Sequence, residues 1–330
     1  MHKRFVNHCT IDLSIIPDGP ILIKSGREGA DPTKPDMEFV EAYYAGGKSI
    51  YLPGSSFKGA IRAHAERIVR TVGEDSKPDT KSNDDKKNNT IWANDPLNDK
   101  YDYLKDNNGK DLPPPEIYKQ SSFTDQMFGN ISLASRIRVE DAYPVDSKQI
   151  KLEERNGVAI DRVFGSVAVG PFNYQVCTAG EFRTKIHLKN FTLAQLGLIG
   201  LVLRDLNDGW FGLGFAKSRG LGTVLVQYNS AVVQYPGCIL DPDNQKVKQL
   251  GNNKEWDWNN LLGAGEFLST KEVEKYNFPQ SDKQETPLRA DEMDLGFGVK
   301  LIWKGNEDNG VKDLLMRGVR AWSKKLGVAA

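Results

Sequence analysis

The segment LPGSSFKGAIR at residues 52–62 combines small residues, a predicted helix start and two basic side chains. Backbone N–H groups are unpaired at a helix N-terminus, and the helix dipole favours an anion there. Glycine lets another backbone come close, and basic residues four apart share one helix face. This suits a phosphodiester backbone held without reading its bases, although an ordinary capped surface helix has the same features. The candidate phosphate-binding residues are Gly54, Ser55, Ser56, Lys58 and Arg62.

A glycine-rich loop, WFGLGFAKSRGLG at residues 210–222, contains four glycines and two basic residues. It is not a Walker loop, because no glycine directly precedes Lys217. It is not a dinucleotide-binding loop either, because Lys217 stands where the third glycine should be and the loop follows a predicted helix. A flexible basic loop can lie flat against phosphates, and the alternative is a tight glycine turn beside a sheet edge. The candidate residues are Lys217, Ser218, Arg219 and Gly220.

The composition is that of a globular chain and argues against several classes of protein. The 44 basic and 44 acidic residues among 330 give zero net charge, so nucleic-acid binding would depend on local clusters of cations. We find no apolar run of about 18 residues and no apolar core of a signal peptide, so we expect a cytoplasmic protein without membrane contact. The three cysteines form no CxxC pair and the four histidines lack ligand spacing, which argues against a structural zinc site.

Six segments with regular hydrophobic spacing predict the elements that position these loops. Ile11, Leu13 and Ile15 alternate as in a half-buried strand, whereas two later segments repeat at helical spacing. The predicted elements are a strand at Cys9–Ile16, a helix from about Ser56 to Val72 capped by Ser55 or Ser56, strands at Arg136–Tyr143 and Glu181–Leu188, a helix at Leu193–Leu206 capped by Thr192, and a strand at Gly222–Tyr228. This order predicts an α+β fold with a ferredoxin-like, RRM-type core. Many functions use that fold, so the order alone does not give the function.

Other segments are predicted to be additions to that core. Residues 74–120 are dense in Asp, Asn, Lys and Pro and predict an insertion, partly mobile and partly docked. Residues 146–180 predict an inserted, projecting hairpin. We therefore expect an RRM-like domain at residues 1–235 and a C-terminal extension of unknown role at residues 236–330. The extension is expected to have few clear elements before a final strand and a basic amphipathic helix.

The two motifs together carry a resemblance to a known family. PGSSFKGAIR followed far downstream by GLGFAKSRGLG resembles the RAMP superfamily (repeat-associated mysterious proteins) of CRISPR systems, in which the first motif opens the first helix and the second precedes the last strand. More specifically, the chain resembles the repeated backbone subunits of type III, Csm/Cmr-like, effector complexes. QMFG and SRIRVEDA before the hairpin, AIDR at its start and TAGEF at its return also agree. The resemblance covers residues 9–228, about two-thirds of the chain.

The resemblance implies a binding role and a set of partners. Copies or relatives of such a subunit stack along a guide RNA and grip its backbone, while thumb hairpins interrupt the guide–target duplex at regular intervals. The implied partners are a CRISPR guide RNA, the target RNA and other effector subunits, including related backbone subunits. Base pairing would carry the sequence specificity. Lys24, Arg27 and, in the thumb, Arg162 join the candidate RNA-binding residues.

In active members of the family, one aspartate in the loop after the first strand cuts the target RNA with Mg²⁺ or another divalent metal. The loop here, KSGREGADPTKPDM, contains Asp31 and Asp36. Asp36 lies nearer the PGSS motif and precedes an apolar stretch, as the family's catalytic aspartate does, so we favour it over Asp31 as catalytic residue and metal ligand. The RNA 2′-hydroxyl would attack in line with the leaving 5′-oxygen, and an aspartate can hold the metal or take the proton. The alternative is that both aspartates are turn residues beside prolines.

Three other functions are kept as alternatives. A catalytically inactive scaffold subunit would bind RNA in the same way with Asp36 idle. A guide-processing endonuclease of the same superfamily would use histidine in acid–base cleavage, and neither loop contains a histidine. An unrelated RRM-like protein that stacks on single-stranded RNA would need the aromatic RNP1 pattern, which is absent.

Overall fold

The computed structural model describes residues 4–26, 35–44, 46–78, 91–95, 101–307 and 309–328. The strands are β1 His8–Pro17, β2 Glu41–Tyr44, β3 Gly47–Ile50, β4 Ile137–Val139, β5 Tyr143–Pro144, β6 Lys151–Ile160, β7 Val167–Ala179, β8 Phe182–Lys189, β9 Val224–Tyr235, β10 Cys238–Asp241, β11 Lys246–Gln249, β12 Glu255–Asp257, β13 Asn260–Leu262, β14 Lys283–Glu285, β15 Asp291–Glu292 and β16 Val299–Lys304. The helices are α1 Gly54–Val72, α2 Pro114–Gln120, α3 Asp125–Phe128, α4 Leu193–Asn207, α5 Thr270–Tyr276 and α6 Val311–Lys325.

The central sheet has the topology that the sequence predicts. Within the described residues it has seven strands in the order β15-β16-β9-β1-β8-β4, with β5 also pairing with β8. Its named strand pairs are antiparallel. The sequence order β1, α1, β4, β8, α4, β9 gives the strand–helix–strand–strand–helix–strand core. The predicted α+β, ferredoxin-like fold with an inserted hairpin is therefore confirmed.

Alternating side chains give the central strands one apolar face and one polar face. Ile11, Leu13 and Ile15 of β1 are fully buried in the core. On the neighbouring β8, Arg183 and Lys185 are exposed between buried residues. Because successive side chains of a strand point to opposite faces, this pattern leaves a basic polar face on the side away from the core.

The N-terminus of α4 is capped as predicted. The Thr192 side chain accepts a hydrogen bond from the N–H of Gln195, and the Gln195 side chain accepts one from the N–H of Thr192, which is a capping box. The buried carboxylate of Asp282 adds a further acceptor, 3.0 Å from the N–H of Leu193. A residue of the C-terminal third therefore completes an element of the core.

The predicted cap of α1 is wrong. The helix begins at Gly54 with Pro53 as N-cap, and neither Ser55 nor Ser56 caps it, because both lie inside its first turn. The Gly54 N–H instead donates to Oδ1 of Asp141 at 2.7 Å. An acceptor that lies 87 residues away in the sequence has replaced the local one.

Two predicted strands have different bounds in the structure. The single strand predicted at residues 136–143 is divided into β4 and β5. It is divided because the chain between them pairs with Leu52, whose N–H and carbonyl both bond to Ala142. The last core strand, β9, continues to Tyr235, because its second half pairs with β16.

The C-terminal third contains more elements than predicted. Seven strands, β10–β16, and two helices lie among the described residues after 236. Most of these strands have two to four residues, too few for a hydrophobic period to be visible in the sequence. β16 extends the central sheet beside β9, and α6 packs on α4, where Gly197 and Gly318 meet backbone to backbone. None of the described helices is long and apolar enough to cross a membrane.

The insertion and the hairpin attach to the core differently. In the described part of the insertion, Ile91, Trp92 and Leu104 are buried, so this part is docked. The hairpin strands β6 and β7 pair with each other, and at the base of β7 Cys177 bridges to Ile21. Most side chains of the hairpin beyond its base are exposed.

Candidate nucleic-acid interface

Most of the segments singled out in the sequence meet at one end of the central sheet. Pro17, at the end of β1, pairs with Val224, at the start of β9, and β8 begins at the same end with Phe182 opposite Ile15. The loop after β1, the base of the hairpin and the glycine-rich loop before β9 therefore leave the sheet together. The topology of the fold thus brings together residues almost 200 positions apart.

The glycine-rich loop packs directly on the segment after β1. The N–H of Phe215 donates to the carbonyl of Leu22 at 2.7 Å. Gly214 has φ +82° and its Cα faces the same carbonyl, so an added Cβ would clash with it. Two cations lie over the Phe215 ring, with Lys24 Nζ 5.1 Å and Arg219 Cζ 4.9 Å from its centroid. Two candidate RNA-binding residues from distant segments therefore share one aromatic ring.

The basic tip of this loop faces solvent. Lys217–Arg219 form a short 3₁₀ turn between Ala216 and Gly220, both of which have left-handed backbone angles. Lys217, Ser218, Arg219 and Gly220 are all exposed. Within the described residues, no carboxylate forms an ion pair with Lys217 or Arg219. The loop therefore presents two positive charges and exposed backbone at one place, as phosphate binding requires.

At the N-terminus of α1, a carboxylate is already in place. The Asp141 side chain accepts from the Gly54 N–H, and a Cβ on Gly54 would clash with the Val139 carbonyl oxygen. The glycine is thus required by close backbone approach to the β4–β5 connection. Ser55 and Ser56 are exposed. A phosphate near them would share the helix terminus with the negative charge of Asp141.

The two candidate phosphate-binding cations of α1, Lys58 and Arg62, are engaged within the protein. Arg62 donates from Nη2 to the fully buried Asp125 at 2.8 Å, from Nε to Glu66 at 2.8 Å and from Nη1 to the carbonyl of Gly129 at 3.0 Å. Lys58 Nζ lies 2.8 Å from Ser135 Oγ, and burial, with a smaller contribution from the nearby Arg62, lowers the pKa of Lys58. The structure therefore places Arg62 in an internal ion-pair network rather than on an open surface.

Asp36 lies against the middle of the hairpin strand β7. Its Oδ2 accepts a hydrogen bond from the N–H of Asn173 in β7 at 2.8 Å, and the side chain is exposed. The next residue, Met37, exchanges backbone hydrogen bonds with Asn173 and Gln175. On the other side, Lys24 bridges to Phe39. The Asp36 segment thus lies between β7 and the segment that carries Lys24. The other two candidates of this loop, Asp31 and Arg27, lie outside the described residues.

The described residues supply few ligands for a divalent metal ion near Asp36. Among them, no group of three or more His, Cys, Asp or Glu side chains is arranged to hold a metal ion. Mg²⁺ in nucleotide sites is commonly held by one or two carboxylates together with substrate phosphates. The single exposed carboxylate of Asp36 fits that arrangement as one ligand, with the remaining ligands supplied by RNA phosphate and water.

The tip of the hairpin is apolar and exposed. Asp161 shapes the turn, because its Oδ1 accepts from the N–H groups of Val163 and Phe164, which lower the pKa of the carboxyl. Val163 and Phe164 are 81% and 85% exposed, and the candidate Arg162 lies just before them. Exposed apolar side chains of this kind can insert between bases or pack against another protein.

The sequence comparison agrees with this architecture. Residues 17–225, more than half of the chain, match the RAMP superfamily. The chain belongs to the RAMP superfamily. Among solved structures, a chain of a Type IV-B CRISPR complex is similar, with a TM-score of 0.44 and 16% identity over 66% of this chain and 90% of that chain. No curated protein sequence matches significantly. The part that matches the RAMP superfamily contains α1, the hairpin and the glycine-rich loop, and it ends inside β9, before the C-terminal elements.

Sequence reasoning missed a cleft on the polar face of this RAMP core. The cleft has a volume of about 950 Å³ and is lined by residues of β4, β5, β8 and the β2 strand. Tyr143 stacks on Tyr44 with ring centroids 4.0 Å apart. Three cations line the cleft, namely Arg138, Arg183 and Lys185. The alternation of basic and apolar residues in β4 and β8 was the sequence signal that could have indicated this cleft. The stacking of Tyr44 on Tyr143 could not be detected in the sequence, because the two rings come from separate strands.

Internal ion pairs limit the charge of that cleft. Arg183 forms a forked pair with Asp12, at 2.8 and 3.0 Å, and Arg138 lies 3.1 Å from Glu140. Glu140 also accepts from His187, whose pKa is lowered by burial. Lys185 is thus the one cation lining the cleft without an ion pair among the described residues. The glycine-rich loop remains the more strongly cationic surface.

A buried histidine anchors the start of the glycine-rich loop. His64 of α1 bonds through Nε2 to Asp205 of α4 at 2.7 Å and stacks on Phe211 at 4.3 Å. Asp205 also accepts from Arg204 and, through its backbone carbonyl, from the N–H of Trp210. His64 therefore has a positioning role, since it joins both helices to the loop.

Proposed function

We propose that this chain is a guide-RNA-binding backbone subunit of a type III CRISPR ribonucleoprotein and that it cleaves the paired target RNA. The observation that carries the binding role is the arrangement of Lys24 and Arg219 around Phe215, at the sheet end where the Asp36 segment and the hairpin also begin. Membership of the RAMP superfamily supports the same assignment. The alternative is a scaffold subunit of the same kind of complex that binds RNA without cutting it.

The binding surface suits a phosphate backbone rather than particular bases. Exposed cations on a glycine-rich loop attract any polyanion, and phosphate contacts position a nucleic acid without reading its sequence. The chain has zero net charge, so the local pair of Lys217 and Arg219 carries the attraction. The exposed apolar tip of the hairpin fits a segment that separates neighbouring base pairs.

The proposed cleavage is a transesterification in which the RNA supplies its own nucleophile. The 2′-hydroxyl loses its proton and attacks the adjacent phosphorus, the P–O2′ bond forms, and the P–O5′ bond breaks. The products are a 2′,3′-cyclic phosphate and a 5′-hydroxyl, whose proton comes from water. Asp36 would accept the 2′-proton or bind a divalent cation that offsets charge on the phosphate. Its carboxylate is exposed and lies against the middle of the hairpin strand β7, beside the segment that would part the duplex, which supports this role.

The cleavage test uses the assembled, guide-loaded complex with Mg²⁺ and a labelled target RNA. We compare wild type with Asp36→Ala and Asp31→Ala and map every cut. Loss of the cuts at this subunit's positions in Asp36→Ala, with the guide still bound, supports the nuclease role of Asp36. The same loss in Asp31→Ala alone moves the role to Asp31. If neither variant changes any cut, the chain is a scaffold and the enzymatic part of the proposal is wrong.

The binding test uses the salt dependence of guide-RNA affinity. Each lost phosphate contact to single-stranded RNA lowers the slope of log affinity against log salt by about 0.7. We expect Lys217→Ala and Arg219→Ala each to lower it by that amount. Lys271→Ala, which removes an exposed lysine of α5, is the matched control and should leave the slope unchanged. Equal slopes for all four proteins would contradict the proposed binding surface.

A further inference from the structure

A groove of about 540 Å³ lies between α4, α6 and β9, outside the candidate nucleic-acid interface. The two helices cross closely beside it. Gly197 and Gly318 meet so closely that a Cβ on either would clash with the backbone of the other. Beyond this crossing, Arg204 of α4 and Lys312 of α6 line the groove. The space between the helices is therefore a product of the fold.

The floor of the groove is apolar. Val226 and Tyr228 of β9 are buried beneath it, and Met316 of α6 is 50% exposed above it. The other apolar residues that line it are Leu201, Leu315 and Val319. Exposed methionine in an apolar groove is typical of surfaces that bind the apolar face of a partner.

The rim of the groove is positively charged. It carries Arg204, Lys312 and Arg320, against Asp208 as the one acidic residue that lines it within the described chain. Arg204 already pairs with Asp205 at 2.7 Å. Within the described residues, Lys312 and Arg320 have no carboxylate partner. Two uncompensated cations thus flank an apolar floor.

We propose that this groove binds an acidic amphipathic segment of another protein subunit. An apolar floor with a cationic rim is complementary to apolar residues flanked by Asp or Glu. RNA fits less well, because the floor is apolar and Tyr228, the one ring that lines it among the described residues, is 7% exposed and offers no stacking surface. The inference rests on the proposed assembly into a multi-subunit complex, but not on cleavage or on Asp36.

The spacing of the rim defines the partner more closely. Lys312, Met316 and Arg320 follow one another at intervals of four on α6, so they form one stripe along the helix. The two cations are eight residues apart, which is about 12 Å along a helix axis. The matching segment therefore carries two acidic residues about two helical turns apart, with apolar residues between them.

The test places a photo-crosslinking amino acid, benzoylphenylalanine, at Met316 in the assembled, guide-loaded complex. The same substitution at the fully exposed Leu295 is the control. After irradiation, the crosslinked peptides are identified by mass spectrometry. We expect a protein crosslink at Met316, absent at Leu295, to a segment with the predicted acidic and apolar spacing. Combining Lys312→Glu with Arg320→Glu should lower its yield about tenfold, because each reversal turns an attraction into a repulsion.

The charge-conserving pair Lys312→Arg with Arg320→Lys should keep the yield of wild type. A crosslink at Met316 only to RNA, a crosslink only to a protein segment without the predicted acidic residues, or a yield no higher than at Leu295 overturns the proposal. Guide-RNA retention is measured on the same samples. Guide retained without the crosslink means that the docking site alone is wrong, whereas a wild-type complex that retains no guide means that the proposed function is wrong as well.

Discussion

Replacing Arg62 by alanine should destabilise the fold without removing a direct RNA contact. The guanidinium pairs with Asp125, which is fully buried, and with Glu66, which is also buried. One oxygen of Asp125, Oδ2, is buried and has no hydrogen-bond partner among the described residues even in the wild type. Burial raises the pKa of Asp125, and the charge of Arg62 opposes that rise. Removing Arg62 therefore leaves a buried carboxylate with little compensation.

The size of the loss follows from the burial of the two partners. Breaking a buried ion pair by removing one partner costs about 3–5 kcal/mol, because the remaining charge stays buried. Arg62 is one-third exposed, and Asp125 can respond by binding a proton, so the lower end of that range applies. We expect Arg62→Ala to lower the free energy of unfolding by about 3 kcal/mol at neutral pH.

Urea denaturation of the guide-free chain measures this loss. Arg67→Ala is the matched control, because Arg67 is an exposed arginine on the same helix, and it should change stability by less than about 0.5 kcal/mol. Arg62→Met combined with Asp125→Asn should recover part of the loss, since residue 125 is then uncharged and Glu66 keeps its ion pair with Arg70 at 3.3 Å. If Arg62→Ala unfolds like wild type but binds guide RNA about tenfold more weakly, Arg62 is an RNA contact and the structural reasoning is refuted.

Two further predictions concern a buried acid and a crowded glycine. Burial raises the pKa of Asp282 from 3.8 to about 7, so the folded protein keeps a proton that the unfolded chain loses. The contribution of this proton to the free energy of unfolding is complete below the pKa of Asp282 in the unfolded chain. It is lost as pH rises through the pKa in the folded protein, by up to about 1.4 kcal/mol per pH unit between about pH 4 and 7. Urea denaturation across that range should therefore show a flatter pH dependence in Asp282→Asn than in wild type, and equal pH profiles would contradict it. Gly54→Ala should lower the free energy of unfolding by about 1–3 kcal/mol through its clash with Val139. The control Gly59→Ala, on the same helix with open space around it, should raise that free energy by about 0.5–1 kcal/mol. Similar urea denaturation of the two variants would exclude the clash.

The core of the fold was predictable because its elements have a clear hydrophobic period. β1 and β8 alternate, and α4 carries both its apolar residues and its own cap, Thr192. The order of six such segments restricts the topology to very few folds. β16 was predicted as a strand near its observed position, but its place beside β9 was not predictable, because pairing partners depend on contacts between distant segments.

The candidate site was only partly predictable, for a related reason. The sequence shows that Lys58 and Arg62 share a helix face, but not that Asp125, from a segment 63 residues away, lies against that face. The spacing of Gly214 and Lys217 indicates a loop that approaches phosphate, and the structure shows what it packs on, the Leu22 carbonyl. Local motifs therefore identify the segments, while long-range pairing determines which charges remain available.

Because the net charge is zero, the availability of each cation decides where a polyanion can bind. A phosphate at Arg62 would have to compete with two carboxylates already 2.8 Å away, and at Arg183 with the forked pair to Asp12. At Lys217 and Arg219 no carboxylate of the described residues has to be displaced, which costs far less than breaking a buried pair. The RNA path should therefore cross the glycine-rich loop and reach α1 only at its exposed first turn, rather than follow the helix as the sequence alone indicates.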